Sequence, residues 1–384
     1  MQNRKNILLI SPNPWGGMKV SKHHYAQHLA GLGYIVFFLN PPTYCYRFNT
    51  RVFILESNLP GLKIIEVERN ILFYFLRFKN LFLYSKLIKC SINKIISRIP
   101  VEIDIVWSFE SNLYDNLRLF KSQYTIFHAV DNLISDWQKK PSMSADLNIA
   151  VSKSILNELK NAASRTLFIN HGINSSLQEF ANNKLQEIKS NVIHEKFASV
   201  IKIGFSGNLL RSNLDYLFLT ICITNYPDFE FVFIGNYDVE DSNLGASENK
   251  ELIEFIAFLK KRDNVRLHGV VDSSVMPHIL DECDVLLVPI KKTKYYDGSN
   301  SHKILEYLST GKVIVSYWVE TYSNNNLLVM TEMNDDKSES LLRVFENVVA
   351  ELDRYNKREL MEERLKFALK NTYDTNITLI LENI

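Results

Sequence analysis

Short apolar runs alternate with polar loops and helix-like stretches along the whole chain. The clearest runs cover residues 6–10, 34–40, 104–109, 124–129, 201–206, 229–234, 284–290 and 313–316. Each run is short, continuous and bounded by charge, glycine or proline, which is typical of strands buried in a parallel sheet. Stretches with helical periodicity, such as 21–32, lie between them. The pattern predicts an α/β chain of doubly wound, Rossmann-like domains.

The succession of strands is interrupted in the polar, weakly helical stretch 176–199. A chain of 384 residues is long for one domain and comfortable for two of ordinary size. We therefore predict a first domain at 1–175 and a second at 200–360, joined by the linker 176–199. Residues 361–384 are predicted to form a terminal helix and tail.

Composition excludes several classes of protein. Hydrophobic residues make up 46% of the chain, charged residues 23%, and the net charge is +1, so neither disorder nor broad nucleic-acid binding is indicated. The four cysteines are scattered without metal-ligand or disulfide spacing, which favours a reducing cytoplasm and predicts no metal site. The first apolar run is too short for a signal peptide, and no run approaches the length that spans a bilayer.

The stretch 297–316, DGSNSHKILEYLSTGKVIVS, carries the most specific candidate chemistry. It follows an apolar strand, and a short helix is predicted to begin near Ser301, capped by the Ser and Asn side chains of 299–301. Helical spacing places Lys303 and Glu306 on one side. A helix start with a lysine suits a phosphate, and a glutamate one turn later can accept hydrogen bonds from a ribose diol. The alternative is an ordinary solvated pair three residues apart.

The run SHKILEYLSTGKVIVS resembles the donor-binding signature of GT-B fold glycosyltransferases, in particular bacterial polysaccharide-biosynthesis enzymes of group 1. The resemblance implies two Rossmann-like domains facing a cleft, with a terminal helix that crosses back to the first domain. It also implies a nucleotide diphosphate sugar as co-substrate, with Lys303 near the diphosphate and Glu306 near the ribose. Retaining members carry a further glutamate eight positions earlier, where this chain has Gly298, so the resemblance leaves inversion or retention open.

Further donor-binding residues follow from the same resemblance. A strand ending in a glycine turn presents backbone amides, and the backbone after a later strand would read the base. With the helix start, the predicted donor-binding residues are Gly207, Asn208, Arg211, His268, Gly269, Val270, Ser301, His302, Lys303 and Glu306. No lysine accompanies Arg211, as it usually does in retaining members. Asp215 on the next helix is interpreted as a surface charge.

The first domain contributes the predicted acceptor side. After the first strand comes a loop whose glycines allow close backbone approach, and its candidate residues are Trp15, Gly16, Gly17 and Lys19. The alternative is a tight turn with structural glycines. At the end of a later strand, His128 and Asp131 are the catalytic candidates, since a carboxylate or imidazole there could remove the acceptor hydroxyl proton. The alternative is that Asp131 and Asn132 cap the following helix.

Residues 69–98 have an unusual composition, with seven Lys or Arg, no Asp or Glu, and several aromatics. From Lys79 onward, apolar residues follow a helical period from Leu81 through Ile92 to Ile99, with lysines opposite. Two interpretations are open. A basic aromatic helix can lie on an anionic membrane, or its apolar face can pack on the sheet and leave the lysines in water.

The sequence as a whole predicts a metal-independent glycosyltransferase of the hexosyltransferase type, without a cofactor. Its predicted acceptor is a glycan or lipid-linked molecule of surface polysaccharide biosynthesis, and its predicted location is cytoplasmic or peripheral on the inner membrane face. Two alternatives remain: a nucleotide-sugar epimerase of the same fold, and a non-catalytic subunit that has kept the fold.

Overall fold

The computed structural model describes residues 5–16, 19–159, 165–190, 200–238, 250–292 and 300–384. The chain divides into two compact units. Unit 1 comprises Met1–Asn170 and Tyr373–Ile384, and unit 2 comprises His171–Thr372. The α/β class predicted from the alternation of strands and helices is confirmed.

Unit 1 is built on a mostly parallel sheet. Its described strands are β1 (Asn6–Ile10), β2 (Ile35–Leu39), β3 (Thr43–Cys45), β4 (Arg51–Glu56), β5 (Leu62–Asn70), β6 (Ile105–Ser108), β7 (Tyr124–Ala129), β8 (Leu147–Ala150) and β9 (Arg165–Phe168). Their order is β3-β5-β2-β1-β6-β7-β8-β9, and β4 pairs antiparallel with β5. The order reverses direction between β1 and β6. Open α/β sheets bind ligands at the carboxyl edge of such a switch point.

Helices cover both faces of this sheet. They are α1 (Ser21–Gly31), α2 (Leu72–Lys79), α3 (Leu81–Arg98), α4 (Asp136–Ser144) and α5 (Lys153–Leu159). Because successive strand residues point to opposite faces, Leu8 packs in the cluster that contains Ile92 of α3, while Ile7 packs in the cluster that contains Leu29 of α1. The result is a three-layer unit with a separate apolar core on each side of the sheet.

Unit 2 repeats the plan with an all-parallel sheet. Its described strands are β10 (Lys202–Ser206), β11 (Glu230–Ile234), β12 (Val265–Leu267), β13 (Val285–Val288), β14 (Val313–Ser316) and β15 (Val329–Met330), in the order β12-β11-β10-β13-β14-β15. Here the order reverses between β10 and β13. The carboxyl ends of these two strands therefore define the second switch point.

The first helix of unit 2 occupies most of the predicted linker 176–199. The described helices of this unit are α6 (Ser175–Lys189), α7 (Tyr216–Asn225), α8 (Lys250–Lys260), α9 (Met276–Asp281), α10 (His302–Leu308), α11 (Ser338–Ala350), α12 (Leu352–Tyr355) and α13 (Arg358–Lys370). Helix α6 packs against α13 through Ala181, Ile188 and Leu365, all buried. Part of the expected linker is thus an ordinary helix of unit 2.

The last helix, α14 (Tyr373–Leu381), belongs to unit 1. Ile377 and Ile380 are fully buried in the core on the α1 side, and His28 of α1 lies 2.7 Å from the carboxylate of Asp374. Among the described helices, none combines the length and the apolar character needed to cross a membrane.

Candidate active site

Three strand ends of unit 2 meet through bare backbone. The Gly207 amide donates to the Ile234 carbonyl at 2.7 Å, and the Gly235 amide donates to the Gly269 carbonyl at 2.7 Å. All three glycines have positive φ values, and a Cβ on Gly235 would lie 1.9 Å from the Gly207 carbonyl oxygen. Only glycine at position 235 allows this approach. The carboxyl ends of β10, β11 and β12 therefore form a glycine surface, in which the missing side chains of residues 207, 235 and 269 allow close approach.

Lys303 lies directly over this surface. A Cβ built on Gly207 would be 2.9 Å from the Lys303 Cε and 3.1 Å from its Nζ. The lysine comes from α10, which follows β13, whereas Gly207 follows β10, so the ammonium lies at the switch point of the sheet. The predicted meeting of the glycine turn with Lys303 is thus present in the structure.

Helix α10 is held against β10 by Tyr307. The Tyr307 hydroxyl accepts a hydrogen bond from the Ser206 amide at 2.6 Å, and the neighbouring Ile304 and Leu305 are fully buried. These contacts leave Lys303 and Glu306 on the half-buried side of the helix. The spacing argument for that pair therefore holds: both side chains share one face, and neither lies fully in solvent.

The electrostatics of the pair are those of charges taken partly out of water. Burial lowers the pKa of Lys303, and Arg211 lowers it further, while Glu306 raises it. Burial raises the pKa of Glu306, and Lys303 opposes that change. Two cations and one carboxylate thus influence one another at the strand ends. An anion such as a diphosphate would favour the charged form of the lysine and so oppose this lowering of its pKa.

The predicted capping of this helix is wrong for Ser301. Ser301 occupies the N-cap position in extended conformation, but its side chain makes no capping hydrogen bond. The helix has seven residues, so its dipole adds little to the charge of Lys303. His302 is exposed, with Nε2 3.8 Å from a Glu306 carboxylate oxygen. Gly298 and Ser299 lie outside the described residues.

Asn208 and Arg211 lie in the loop that follows Gly207. The Asn208 side-chain oxygen accepts from the Leu210 amide at 2.9 Å, and the Arg211 carbonyl accepts from the Tyr216 hydroxyl at 2.8 Å. These bonds fix the loop conformation. Both side chains are half-buried, and the Arg211 guanidinium is close enough to affect Lys303.

Asp215 is not a surface charge, contrary to the sequence interpretation. Its carboxylate is buried, caps α7 at the Phe218 amide, and lies 3.0 Å from both the Lys291 ammonium and the Ser338 hydroxyl. It also accepts a hydrogen bond from the Tyr317 hydroxyl. A residue with this many internal partners is structural. Its solvent-facing interpretation failed because the partners come from distant parts of the sequence.

The predicted base-reading segment lies just beyond β12. His268 and Val270 are exposed, and Gly269 is half-buried, with its carbonyl bonded to Gly235. The His268 amide is used in pairing with Phe233. The segment is therefore connected to the glycine surface through Gly269.

The acceptor-side loop in unit 1 is anchored through Trp15. Its amide donates to the Asn40 side-chain oxygen at 2.7 Å, and its ring lies 4.9 Å from Phe38 and 5.5 Å from His23. Gly16 has a φ of +112° and is exposed, as is Lys19. Gly17 lies outside the described residues. The loop is thus both a glycine-dependent turn and an exposed edge after β1.

The two catalytic candidates have different environments. His128 is buried, with its ring stacked on Phe109 at 4.7 Å and its Nδ1 3.4 Å from the Trp107 indole nitrogen. Asp131 is exposed. The suggested capping role of Asp131 and Asn132 is wrong, because α4 begins at Asp136 and is capped by Ser135. Asp131 is therefore the more accessible proton acceptor of the two.

Two charged residues that were not predicted as site residues, Lys22 and Glu110, are buried near each other, and Lys22 also interacts with Asp131. Burial lowers the pKa of Lys22, which Asp131 and Glu110 raise. Burial raises the pKa of Glu110, whose carboxylate accepts hydrogen bonds from the Asn112 and Leu113 amides. They follow β1 and β6, on the two sides of the switch point of unit 1. The only signal in the sequence was the position of Glu110 just after a strand.

No group of three or more metal-ligating side chains occurs in the part of the chain that the structure describes. The charged side chains that influence one another beside the Gly207 turn are Lys303, Arg211 and Glu306. Side chains of these types can bind an anion and a neighbouring hydroxyl pair.

Comparison with solved structures identifies the fold. Over 99% of the chain, the fold is similar to the E. coli trehalose-6-phosphate structure with bound UDP-2-fluoro glucose (TM-score 0.68, 13% identity, 98% of that chain). It is also similar to sucrose-phosphate synthase of Thermosynechococcus elongatus (0.65, 13%, 98%) and to a glycosyltransferase of Rickettsia africae ESF-5 (0.63, 17%, 97%). The chain has the GT-B fold of glycosyltransferases.

The sequence of unit 2 is similar to a known family. Residues 201–347 match the family model described as Glycosyl transferases group 1. The chain is 22% identical over 222 residues to TuaH of Bacillus subtilis (strain 168), described as a candidate teichuronic acid biosynthesis glycosyltransferase. That match covers 55% of this chain and 51% of TuaH, about half the length of the relative. The class predicted from the sequence is confirmed.

Proposed function

We propose that this glycosyltransferase transfers a hexose-type sugar from a nucleotide diphosphate sugar, held in unit 2 by Lys303, Glu306 and the Gly207 backbone. The observation that carries the proposal is the Lys303 ammonium lying against Gly207 at the switch point. A diphosphate placed there meets the Lys303 ammonium beside a glycine turn, with Arg211 as second cation. The UDP-2-fluoro glucose in the E. coli structure of the same fold supports a nucleotide sugar as donor.

The chemistry assigned to these residues is displacement at the sugar carbon. The acceptor oxygen forms a bond to that carbon, the bond to the diphosphate breaks, and the diphosphate leaves with the electron pair. Lys303 and Arg211 offset the negative charge that grows on the leaving group. Asp131, exposed at the end of β7, is proposed to take the proton of the acceptor hydroxyl. Glu306 is proposed to hold the ribose hydroxyls.

The proposed acceptor is a glycan or lipid-linked molecule of surface polysaccharide biosynthesis, reached from the cytoplasmic face of the membrane. The description of TuaH as a teichuronic acid glycosyltransferase supports this class of acceptor. The similar folds of the trehalose-6-phosphate structure and of sucrose-phosphate synthase support small phosphorylated sugars as the alternative. Transfer assays with membrane extract and with soluble sugar phosphates distinguish these two classes.

The donor proposal is tested by thermal-shift measurement with UDP, GDP and ADP, since a ligand that binds the folded state raises the unfolding temperature. At least one nucleoside diphosphate should stabilise the wild-type protein, and Lys303→Ala should remove that shift. Lys250→Ala, which changes an exposed lysine of the same unit, is the matched control and should leave the shift intact. A shift that survives Lys303→Ala, or no shift with any nucleotide, would refute the site.

Metal independence is a separate part of the proposal. It rests on the use of lysine and arginine side chains to offset diphosphate charge, a role that a bound cation fills in other enzymes. Transfer should continue in excess EDTA. Loss of transfer that returns on adding manganese would contradict it.

A further inference from the structure

Unit 1 carries an exposed aromatic face made by three neighbouring segments: the loop 44–48, helix α2 and the first turn of α3. Tyr46 and Phe48 are 90% and 87% exposed, and Phe78 and Phe82 are 70% and 71% exposed. Other residues of the same helices, such as Tyr84, are buried in the core. Other residues of these helices therefore fill the core, and packing in the core does not explain why these aromatic rings are apolar.

The three segments form one continuous surface. The Ile71 amide donates to the Cys45 carbonyl at 2.8 Å, and the Asn70 side chain donates to the Arg47 carbonyl at 2.8 Å, which ties the loop to the start of α2. The Tyr74 ring lies 5.9 Å from Tyr44 and 5.8 Å from Phe78. Tyr44, Tyr74 and Phe78 are thus connected ring to ring on this face.

Cations surround these rings. The Lys86 ammonium lies 4.4 Å from the centre of the Phe82 ring, and the Arg77 guanidinium lies 5.4 Å from the Phe78 ring. Arg47 is also exposed and is partly offset by Glu68 at 3.8 Å. Residues 69–98 contain no acid at all. Rings that project next to lysine and arginine suit the boundary between acyl chains and negatively charged headgroups.

We infer that this face, defined by the loop 44–48, α2 and the first turn of α3, docks the protein on an anionic lipid bilayer. The rings enter the headgroup boundary, and Arg77, Lys79 and Lys86 meet lipid phosphates. A second copy of the chain fits poorly, because a two-fold interface on this face would bring the same cations of both copies together. The inference deepens the proposed function. It rests on that function only where it assumes a lipid-linked acceptor.

Vesicle flotation of the full chain tests this surface. Phosphatidylcholine vesicles containing phosphatidylglycerol should recover the protein, pure phosphatidylcholine vesicles should recover much less, and added salt should reduce recovery because it screens the charges. The double variant Phe78→Ser/Phe82→Ser should lower partitioning about tenfold, since it removes two inserted rings. Met143→Ser, which changes a 76% exposed apolar residue elsewhere in unit 1, is the control and should float like the wild type.

Several outcomes would overturn the inference. Equal recovery with both vesicle types, or with neither, would do so, as would a double variant that floats like the wild type. Light scattering that shows a dimer, lost in the double variant while vesicles recover nothing, would assign the face to a second copy. Nucleotide-induced thermal shifts separate the docking inference from the donor-site proposal. The double variant should keep the shift. Loss of the shift in Lys303→Ala concerns only the donor site.

Discussion

Lys303 and Gly207 depend on each other, because the lysine side chain fills the space that a side chain at 207 would need. Because Gly207 has no Cβ, the Lys303 ammonium can lie 3.1 Å from the position that a Cβ at residue 207 would occupy. Glu306 faces the same side one turn later. At the residue scale, the proposed donor site needs the missing side chain of Gly207 as much as it needs the charge of Lys303.

Gly207→Ala should weaken nucleotide binding and also destabilise the protein. The φ of +153° is strained for alanine, at about 1–3 kcal/mol, and the new methyl would displace Lys303. Thermal unfolding and nucleotide titration measure the two effects. Gly31→Ala, at the end of α1 with open space around it, is the control and should change neither. Normal nucleotide affinity in Gly207→Ala would contradict the assigned geometry.

The pH dependence of nucleotide binding should reflect Lys303. Burial lowers its pKa below the ordinary 10.5, so the free protein loses this positive charge at a lower pH than a solvated lysine would. Affinity for a nucleoside diphosphate should therefore begin to fall at a lower pH than it would if the lysine were solvated. Isothermal titration at a series of pH values up to 10.5 measures it. Lys303→Arg should keep its charge and hold its affinity to higher pH; an identical fall in both proteins would point to another group.

Residue-level prediction worked where the partners are close in sequence. The shared face of Lys303 and Glu306 follows from helical spacing, and the structure has it. The burial of His128 was not predictable, because it depends on rings from other strands and helices, such as Phe109. The burial of Lys22 was not predicted and Asp215 was misjudged for the same reason. Their environments are made by residues far away in the chain.

Helix α10 is the element that positions the donor residues, and its contact with β10 goes through Tyr307. The tyrosine hydroxyl bonds to the Ser206 amide at the point where the strand ends. Apolar residues on the same helix fill the core of unit 2. The register between α10 and the glycine turn is therefore set by one hydrogen bond and by packing.

Tyr307→Phe should cost about 1–3 kcal/mol of stability, because it leaves the buried Ser206 amide without this acceptor. It should also weaken nucleotide binding by loosening α10. Chemical denaturation and nucleotide titration measure these changes. Tyr355→Phe, on α12 of the same unit, is a control, since its ring is only half-buried. Unchanged stability in Tyr307→Phe would show that packing alone holds the helix.

Elements were predictable where hydrophobic periodicity is strong. In α3, Tyr84, Ile88, Ile92 and Ile95 are buried as the period predicts. Leu81 belongs to the same period but is 52% exposed, because the first turn of the helix extends past the sheet. The composition of 69–98 indicated both packing and an exposed apolar surface. Periodicity could not distinguish the residues that pack on the sheet from the residues that stay exposed, since both groups are apolar.

The whole chain is organised as one unit inserted into another. Unit 1 ends at Asn170 and resumes at Tyr373, and α14 supplies part of the core next to α1. The first and last segments of unit 2 are joined to each other, because the Ile173 amide donates a hydrogen bond to the Asn371 carbonyl at 2.9 Å. The outgoing and returning segments thus run side by side.

Ile377→Ala should destabilise unit 1 by about 2–5 kcal/mol, the usual effect of a cavity in a packed core. Limited proteolysis should then cut within unit 1 first, while a nucleoside diphosphate still stabilises unit 2. Leu379→Ala, on the same helix but 44% exposed, should behave like the wild type. First cuts confined to 171–372 would contradict the assignment of α14 to unit 1.

The insertion also sets an order of events during synthesis. A ribosome delivers all of unit 2 before it delivers α14, so the inserted unit can reach its final fold while its host still lacks the residues that close the α1 side of its sheet. Until α14 emerges, apolar side chains such as Leu29 remain uncovered on that side. A chain truncated after Thr372 contains all of unit 2 but lacks α14, and should therefore recruit chaperones.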